Sequence, residues 1–141
     1  MGNRILICGL PNSGKTTFAK ALIHHYAINN NSYVWFNGDD VRKAYNDWDF
    51  SLEGRLRQTN RMKELADKSG LIDVIIDYVC PLEEYRKIIQ PTHIIYIDTK
   101  DTTPYKDTQS IFQPVESPTI IVPNKNSIEQ CALSFYNQLK M

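Results

Sequence analysis

Apolar positions along this chain follow two alternating rhythms. Residues 4–8 (Arg4-Ile5-Leu6-Ile7-Cys8) form an apolar, β-rich run of buried-strand length. Over residues 15–27 the spacing changes: Phe18, Ala21 and Leu22 fall at i, i+3 and i+4, which predicts an amphipathic helix. The polar cluster Asn29-Asn30-Asn31-Ser32 marks a turn. Residues 33–36 read as a second strand and 39–45 as a short helix with carboxylates at its start. A longer polar helix is expected over 51–68 and closed by Gly70, before a strongly apolar third strand over 71–77. Pro81 is expected to open a helix carrying Leu82, Tyr85 and Ile89 on one side. Residues 93–97 read as a fourth strand ending at Asp98, and 119–122 as a fifth. The last helix spans 127–139, with Ser127 and Gln130 as a capping box and Ile128, Cys131, Ala132 and Phe135 as its apolar stripe.

Strands alternating with helices imply an α/β protein, here a parallel five-stranded sheet with helices on both faces. In such a sheet the site lies at the carboxyl ends of the strands. The whole chain, 1–141, reads as one domain. Segment 99–118 breaks the rhythm, being polar, rich in Thr, Asp and Pro, and weakly periodic. Two readings stand for it: a lid over the site, or a surface loop.

The first strand and first helix are joined by Gly9-Leu10-Pro11-Asn12-Ser13-Gly14-Lys15-Thr16-Thr17. Gly9, Gly14, Lys15 and Thr16 fill every fixed position of the phosphate-loop pattern G-x-x-x-x-G-K-[ST]. Such a loop turns its main-chain N–H groups onto one small volume, and the following helix adds its positive end. A chance match in a glycine-containing turn is the alternative, but strand, loop and helix stand in the required order. The fold is therefore that of a P-loop NTPase. Nucleotide binding is assigned to Gly9, Pro11, Asn12, Ser13, Gly14, Lys15, Thr16 and Thr17, with ATP and Mg²⁺ as cofactors. Lys15 would bridge the β- and γ-phosphates, and the Thr16 hydroxyl would hold Mg²⁺.

The second strand runs into Asn37-Gly38-Asp39-Asp40-Val41-Arg42. Asp39 is the candidate catalytic carboxylate, able to accept the proton of an attacking hydroxyl or to orient hydrated Mg²⁺. Asp39 or Asp40 capping the helix is the structural alternative. Arg42 would grip an anionic substrate group bidentately. Arg57 and Arg61 share a helix face and could join Arg42 in an anion-binding wall; a solvated Arg57 paired with Glu53 is the plainer reading. Asp77, closing the third strand, is a candidate metal ligand or simply a strand end. Trp35 and Trp48 read as packing residues, although Trp48 and Phe50 fall near the substrate side.

Composition narrows the function further. Sixteen basic and sixteen acidic residues give a formal net charge of zero, which argues against broad nucleic-acid binding. No apolar run is long enough to cross a membrane, and Cys8, Cys80 and Cys131 are odd in number and lack metal spacing. Reduced, mostly buried cysteines and a cytoplasmic location are expected.

These segments together resemble adenylylsulfate kinase over most of the chain. That family phosphorylates the ribose 3′-hydroxyl of adenylyl sulfate using MgATP, in sulfate assimilation. Its loop GLxGxGKTT is similar to residues 9–17, and its DGDxVR to residues 37–42. Its phenylalanine-serine pair and following arginine resemble Phe50, Ser51 and Arg55, and the arginine closing N-x-R-R falls on Arg61. ISP is matched by Val79-Cys80-Pro81, the next arginine by Arg86, and the lid's leucine-tyrosine-lysine by Pro104-Tyr105-Lys106. The resemblance implies catalysis by Lys15 and Asp39, with substrate contacts at Asp39, Arg42, Phe50, Arg55, Arg61, Val79 and Lys106. It also implies a small nucleotide as partner, with a second copy of the chain left open.

Several positions depart from the family's pattern. Asn37 stands for the first Asp, Gln58 and Asn60 for the Asn and first Arg of N-x-R-R, and Cys80 for the serine of ISP. The lid region is short and lacks the family's lid arginine; Phe112 is the candidate stacking aromatic there, and Lys100 or Lys106 the substitute cation. A second resemblance is to 5′-hydroxyl polynucleotide kinases, whose N-x-D-D-x-R is similar to residues 37–42. A nucleotide-binding protein without turnover is the non-enzymatic reading.

Overall fold

Five parallel strands carry the architecture of the computed structural model, which describes residues 2–99, 108 and 111–139. They are β1 (Arg4–Gly9), β2 (Tyr33–Asn37), β3 (Asp73–Asp77), β4 (His93–Ile97) and β5 (Ile120–Val122), in the spatial order β2-β3-β1-β4-β5. The most apolar strand takes the centre: Ile5 lies opposite Ile75 on one side and His93 on the other. Between the strands run α1 (Lys15–Ile28), α2 (Gly38–Tyr45), α3 (Leu52–Asp67) and α4 (Glu83–Ile89), and α5 (Ile128–Leu139) closes the chain. Chain direction across the sheet reverses beside β1, so the crevice that holds ligands in such folds opens at its carboxyl end.

Successive residues of β1 point to opposite faces, and both faces are covered. Ile5 and Ile7 pack with Phe18, Leu22 and Tyr26 of α1 and Ala132 and Phe135 of α5. Leu6 and Cys8 pack with Val41 of α2, Met62 and Ala66 of α3, and Tyr85 and Ile89 of α4. The alternating hydrophobic pattern is thus realised as two cores sharing one sheet. Among the described residues no helix is long and apolar enough to cross a membrane.

Apart from shifts of one residue at element ends, three starts differ from the sequence reading, each with an identifiable physical cause. β3 begins at Asp73, and Leu71 and Ile72 stay exposed, because β1 offers no ladder partner before Arg4. Pro81 does not open α4. Cys80 takes a positive φ of 45° and Leu82 is extended as the N-cap, so the helix starts at Glu83. The expected capping box at Ser127 is replaced by a short 3₁₀ turn, Lys125–Ser127, whose cap is Asn124: its side-chain oxygen accepts from the Ser127 N–H at 3.0 Å. Ser51, read as the first residue of its helix, is instead the N-cap of α3, accepting from Gly54 N–H at 3.2 Å.

Candidate functional site

A cleft of about 790 Å³ opens along the carboxyl edge of the sheet, with the loop after β1 at its middle. The chain leaves β1 at Gly9, which lies flush on β4: a Cβ there would come within 2.6 Å of the Ile97 carbonyl oxygen. Asn12 adopts φ 63°, and Gly14 adopts φ 115° as the N-cap of α1. A side chain at Gly14 would meet both a left-handed backbone and Ile128 Cδ1 at 2.8 Å. Thr99 Oγ1 donates to the Ser13 carbonyl at 3.1 Å, and Ser13 itself is buried, shaping the loop from within. Pro11, Asn12, Gly14, Lys15, Thr16 and Thr17 line the cleft. The first turn of α1 has no acidic residue, so its positive end faces the cleft undiminished.

Lys15 is 9% exposed, and its Nζ donates to the Leu10 carbonyl at 2.7 Å. Burial pulls its ammonium down to about 8, against the opposing pull of Asp77. The loop therefore holds a lysine whose charge responds readily to an incoming anion.

Asp77, Asn37, Thr16 and Trp35 form one network beside this lysine. Trp35 Nε1 donates to Asp77 Oδ2 at 2.7 Å, and Asn37 Nδ2 lies 3.1 Å from both Asp77 oxygens. Thr16 Oγ1 reaches Asp77 Oδ1 at 3.4 Å and Asn37 Nδ2 at 3.2 Å. Burial pushes the Asp77 carboxyl up, while the Asn37 and Trp35 donors push it back down. Asn37 also caps α2, where its Oδ1 accepts from Asp40 N–H at 3.1 Å. Neither Asp39 nor Asp40 supplies that cap. Oxygen donors from Thr16 and Asp77, hard and adjacent, fit a small divalent cation such as Mg²⁺.

Asp39 is exposed and lines the cleft beside this network, whereas Asp40 is exposed outside it. Beyond Asp39 lies a second wall built from the α2–α3 connection and the loop after β3. Arg42, Phe50, Arg55 and Val79 line it, as do Trp48 and Gln58. Arg42 and Arg55 are both buried, with guanidinium carbons 4.4 and 5.5 Å from the centre of the Phe50 ring. Arg55 also donates to the Thr108 hydroxyl at 2.8 Å. Gln58 is tied to the Gly38 carbonyl at 3.0 Å.

Some expected site residues sit elsewhere. Arg61 does not line the cleft; it pairs with Asp47 at 2.9 Å and stacks over Tyr45. Arg57 pairs with Asp47 and Asp49 rather than with Glu53, so the alternative in which it joins an anion-binding wall meets the protein's own carboxylates instead. Phe112 stacks on Tyr96 at 5.9 Å and under Arg86 at 5.1 Å, away from the cleft. Lys100, Pro104, Tyr105 and Lys106 lie outside the described residues, as do the other residues of 100–107 and residues 109 and 110 of the lid-like segment. The sequence reading missed Trp35 and Asn37 as supports of Asp77, and Gln58, Thr108, Lys125 and Ile128 as cleft residues. Only Asn37 gave a signal, as a short polar residue ending a strand two positions before the candidate carboxylate. Cys8 and Cys80 are buried free thiols; burial pushes Cys8 up to about 11 and Cys80 higher still.

Comparison with known proteins bears on this geometry. The family model described as adenylylsulphate kinase matches residues 1–113. No curated protein matches the sequence. The fold is similar to that of the APS kinase CysC of Mycobacterium tuberculosis, solved in complex with AMPPNP and APS: TM-score 0.82, 19% identity, covering 99% of this chain and 98% of that one. It is also similar to a sugar kinase from Janibacter sp. HTCC2649 (TM-score 0.69, 14% identity, 97% and 95% covered). A gluconokinase from Sinorhizobium meliloti 1021 is a third likeness (TM-score 0.65, 16% identity, 97% and 93% covered).

Proposed function

Since the chain belongs to the adenylylsulphate kinase family, we propose that it transfers the γ-phosphoryl group of ATP to a ribose hydroxyl of adenylyl sulfate or a close analogue. One observation carries the reading: Lys15, Thr16, Asp77 and Asp39 line a single cleft at the end of a glycine-capped phosphate loop. The triphosphate rests on the main-chain N–H groups of the loop and the amino end of α1. Lys15 exchanges its Leu10 carbonyl for phosphate oxygens, gaining full charge as it does so. Thr16 and Asp77 would hold Mg²⁺, which when bound neutralises charge on the transferring phosphate.

On the other wall, Arg42 and Arg55 present two buried cations to an anionic acceptor. Asp39 orients the acceptor hydroxyl and takes its proton as the new oxygen–phosphorus bond forms. The bond from the γ-phosphorus to the bridging oxygen breaks, and ADP carries away the electron pair. Most of the acceleration in such transfers comes from positioning and charge stabilisation, which a preorganised cleft supplies.

The test is direct. Purified protein with Mg²⁺, ATP and adenylyl sulfate should release ADP and a product heavier by one phosphoryl group, read by coupled assay and mass spectrometry. Asp39→Asn should lose turnover, by about 10²–10⁴-fold, with nucleotide affinity kept. ATP binding without transfer to adenylyl sulfate, or transfer to gluconate or a 5′-hydroxyl oligonucleotide instead, would reject the assignment.

A further inference from the structure

Two anchors tie Thr108 and the stretch 112–114 to the body of the protein. At the first, the Thr108 hydroxyl accepts a hydrogen bond from Arg55 Nη2 at 2.8 Å. Both side chains are buried, and both residues line the cleft. Phe112 N–H donates to the Thr108 carbonyl at 3.1 Å, the i to i−4 bond of one helical turn. Gln113 is the second anchor. Its N–H donates to the Pro81 carbonyl at 2.7 Å, its carbonyl accepts from Arg86 Nη2 at 2.6 Å, and its side-chain oxygen accepts from Glu83 N–H at 2.8 Å. The Phe112 ring lies 5.1 Å from the Arg86 guanidinium carbon and stacks on Tyr96. Arg86 is buried outside the cleft and also holds the Cys80 and Pro81 carbonyls. Thr108 is therefore bonded to a residue whose neighbour is clamped to the interior.

A guanidinium is a planar fork, and its aim is set by where its nitrogens are held. Arg55 Nε donates to the Phe50 carbonyl at 2.8 Å and Nη2 to Thr108, so acceptors from two distant parts of the chain grip two nitrogens. The Phe50 ring lies 5.5 Å from the guanidinium carbon. A single fixed acceptor lets the group swing about that bond; the second stops the swing. A buried donor needs an acceptor for stability alone, which taken by itself makes the Thr108 bond structural. Its place on the lining of the cleft gives it a second consequence. An arginine already held in direction loses little freedom when an anion arrives, so the ordering cost of binding falls.

We propose that Thr108 is a positioning residue: its hydroxyl, steadied through the Gln113–Arg86 clamp, holds the Arg55 guanidinium in the direction that meets the anionic group of the acceptor. The inference rests on the phosphotransferase reading above. Thr108 acts through Arg55 and is not itself a ligand of the acceptor. The hydroxyl is what matters, because it supplies a charge-assisted hydrogen bond that a methyl group of the same size cannot.

Initial rates with ATP and adenylyl sulfate varied separately test this, for wild type, Thr108→Val, Thr108→Ala, Thr108→Ser, Arg55→Met and the double variant Arg55→Met with Thr108→Val. Thr108→Val should lower kcat/KM for adenylyl sulfate roughly 5–50-fold and leave the KM for ATP within about twofold. Thr108→Ala should match it, which assigns the effect to the hydroxyl and not to the fit of a valine methyl. Thr108→Ser should recover most of the loss. On the Arg55→Met background Thr108→Val should add less than about a twofold effect, because the residue it acts through is gone. The same loss on that background, an equal rise in the KM for ATP, or Thr108→Ser as weak as Thr108→Val overturns the proposal. If wild type transfers nothing to adenylyl sulfate, the functional reading fails separately. Calorimetric binding of inorganic sulfate to protein saturated with MgADP then decides the positioning. Weakening by Thr108→Val that disappears on the Arg55→Met background upholds it. Sulfate affinity unchanged by Thr108→Val, or no sulfate binding in wild type, refutes it.

Discussion

Asn37 is where a departure from the family pattern can be weighed against geometry, through Asn37→Asp. The amide nitrogen sits 3.1 Å from both oxygens of Asp77 and 3.2 Å from Thr16 Oγ1, while the amide oxygen caps α2. The substitution keeps an oxygen for the cap, so helix capping changes little. What it removes is the donor to a buried carboxylate, a hydrogen bond worth about 1.5–3 kcal/mol. It also sets a second carboxylate about 3 Å from Asp77. At an effective dielectric of about 20 that repulsion is about 5 kcal/mol before any relaxation. Side-chain rotation and water relieve part of it, leaving a loss of about 2–4 kcal/mol near pH 8 without metal.

The pH dependence has a definite sign. Burial already raises the Asp77 carboxyl, and a neighbouring carboxylate raises the pair further. In the window between the unfolded carboxyl value, about 4, and the raised folded one, the folded state binds more protons, so stability falls as pH rises. The variant should therefore approach wild type near pH 5 and fall furthest behind at pH 8. Millimolar Mg²⁺ should narrow the gap at pH 8. Asn37→Ala, which removes the donor and the cap without adding charge, should show a smaller penalty whose Asp77 part has the same sign, growing as pH rises through the further-raised Asp77 value. Urea unfolding of the three proteins at both pH values, with and without Mg²⁺, provides the reading. A variant as stable as wild type at pH 8 without metal, or a deficit indifferent to pH, would refute the assignment of Asn37 as the donor that keeps Asp77 ionised.

Other expectations follow from single distances. Because Lys15 titrates at about 8, ATP binding should take up a proton at pH 8–9 and weaken as pH rises through that range; calorimetry in buffers of different ionisation enthalpy measures the uptake. Gly14→Ala should cost about 1–3 kcal/mol from its φ of 115°, plus a clash with Ile128 Cδ1, so adding Ile128→Ala should recover the steric part in a double-mutant thermal series. Arg86→Leu should cost about 3 kcal/mol or more. Arg86 is buried and donates to the Cys80, Pro81 and Gln113 carbonyls, all of which lose a donor; denaturant midpoints report it.

The parts of this molecule that the sequence made legible are those whose causes are local. The glycine spacing of the phosphate loop and the run of β1 each depend on a few adjacent residues, and each appears where the spacing puts it. The sheet with helices on both faces follows from the alternation of apolar periods. The boundary errors came from longer range. Leu71 and Ile72 look like strand, but a strand exists only where a neighbour pairs with it, and β1 offers none there. Pro81 signals a helix start, yet Arg86 claims the carbonyls of Cys80 and Pro81 and delays the helix to Glu83.

The same distinction separates the two walls of the cleft. The phosphate wall is made by backbone conformation, which sequence spacing encodes. The wall proposed for the acceptor is made by arginines choosing partners, which spacing does not encode. Arg42, Arg55 and Arg61 looked available for a substrate anion, with Arg57 more plainly read as solvated and paired with Glu53. Only Arg42 and Arg55 line the cleft; Arg57 and Arg61 are engaged by Asp47, and Arg57 by Asp49 as well. The two acidic residues that decide this sit in a stretch of no periodicity between α2 and α3. Their choice frees nothing for the substrate directly, yet it fastens the α2–α3 connection, from which Trp48 and Phe50 reach the cleft. On the proposed function, an arginine thus shapes the acceptor wall without touching the acceptor. The consequence is measurable: Arg57→Leu should slacken the α2–α3 connection and raise the acceptor KM while leaving ATP affinity alone. Were Arg57 instead a direct anion ligand, inorganic sulfate would compete with the acceptor in wild type and lose that effect in the variant. Competition by sulfate that is equal in both proteins, with a higher acceptor KM in the variant, is the result expected of a strut.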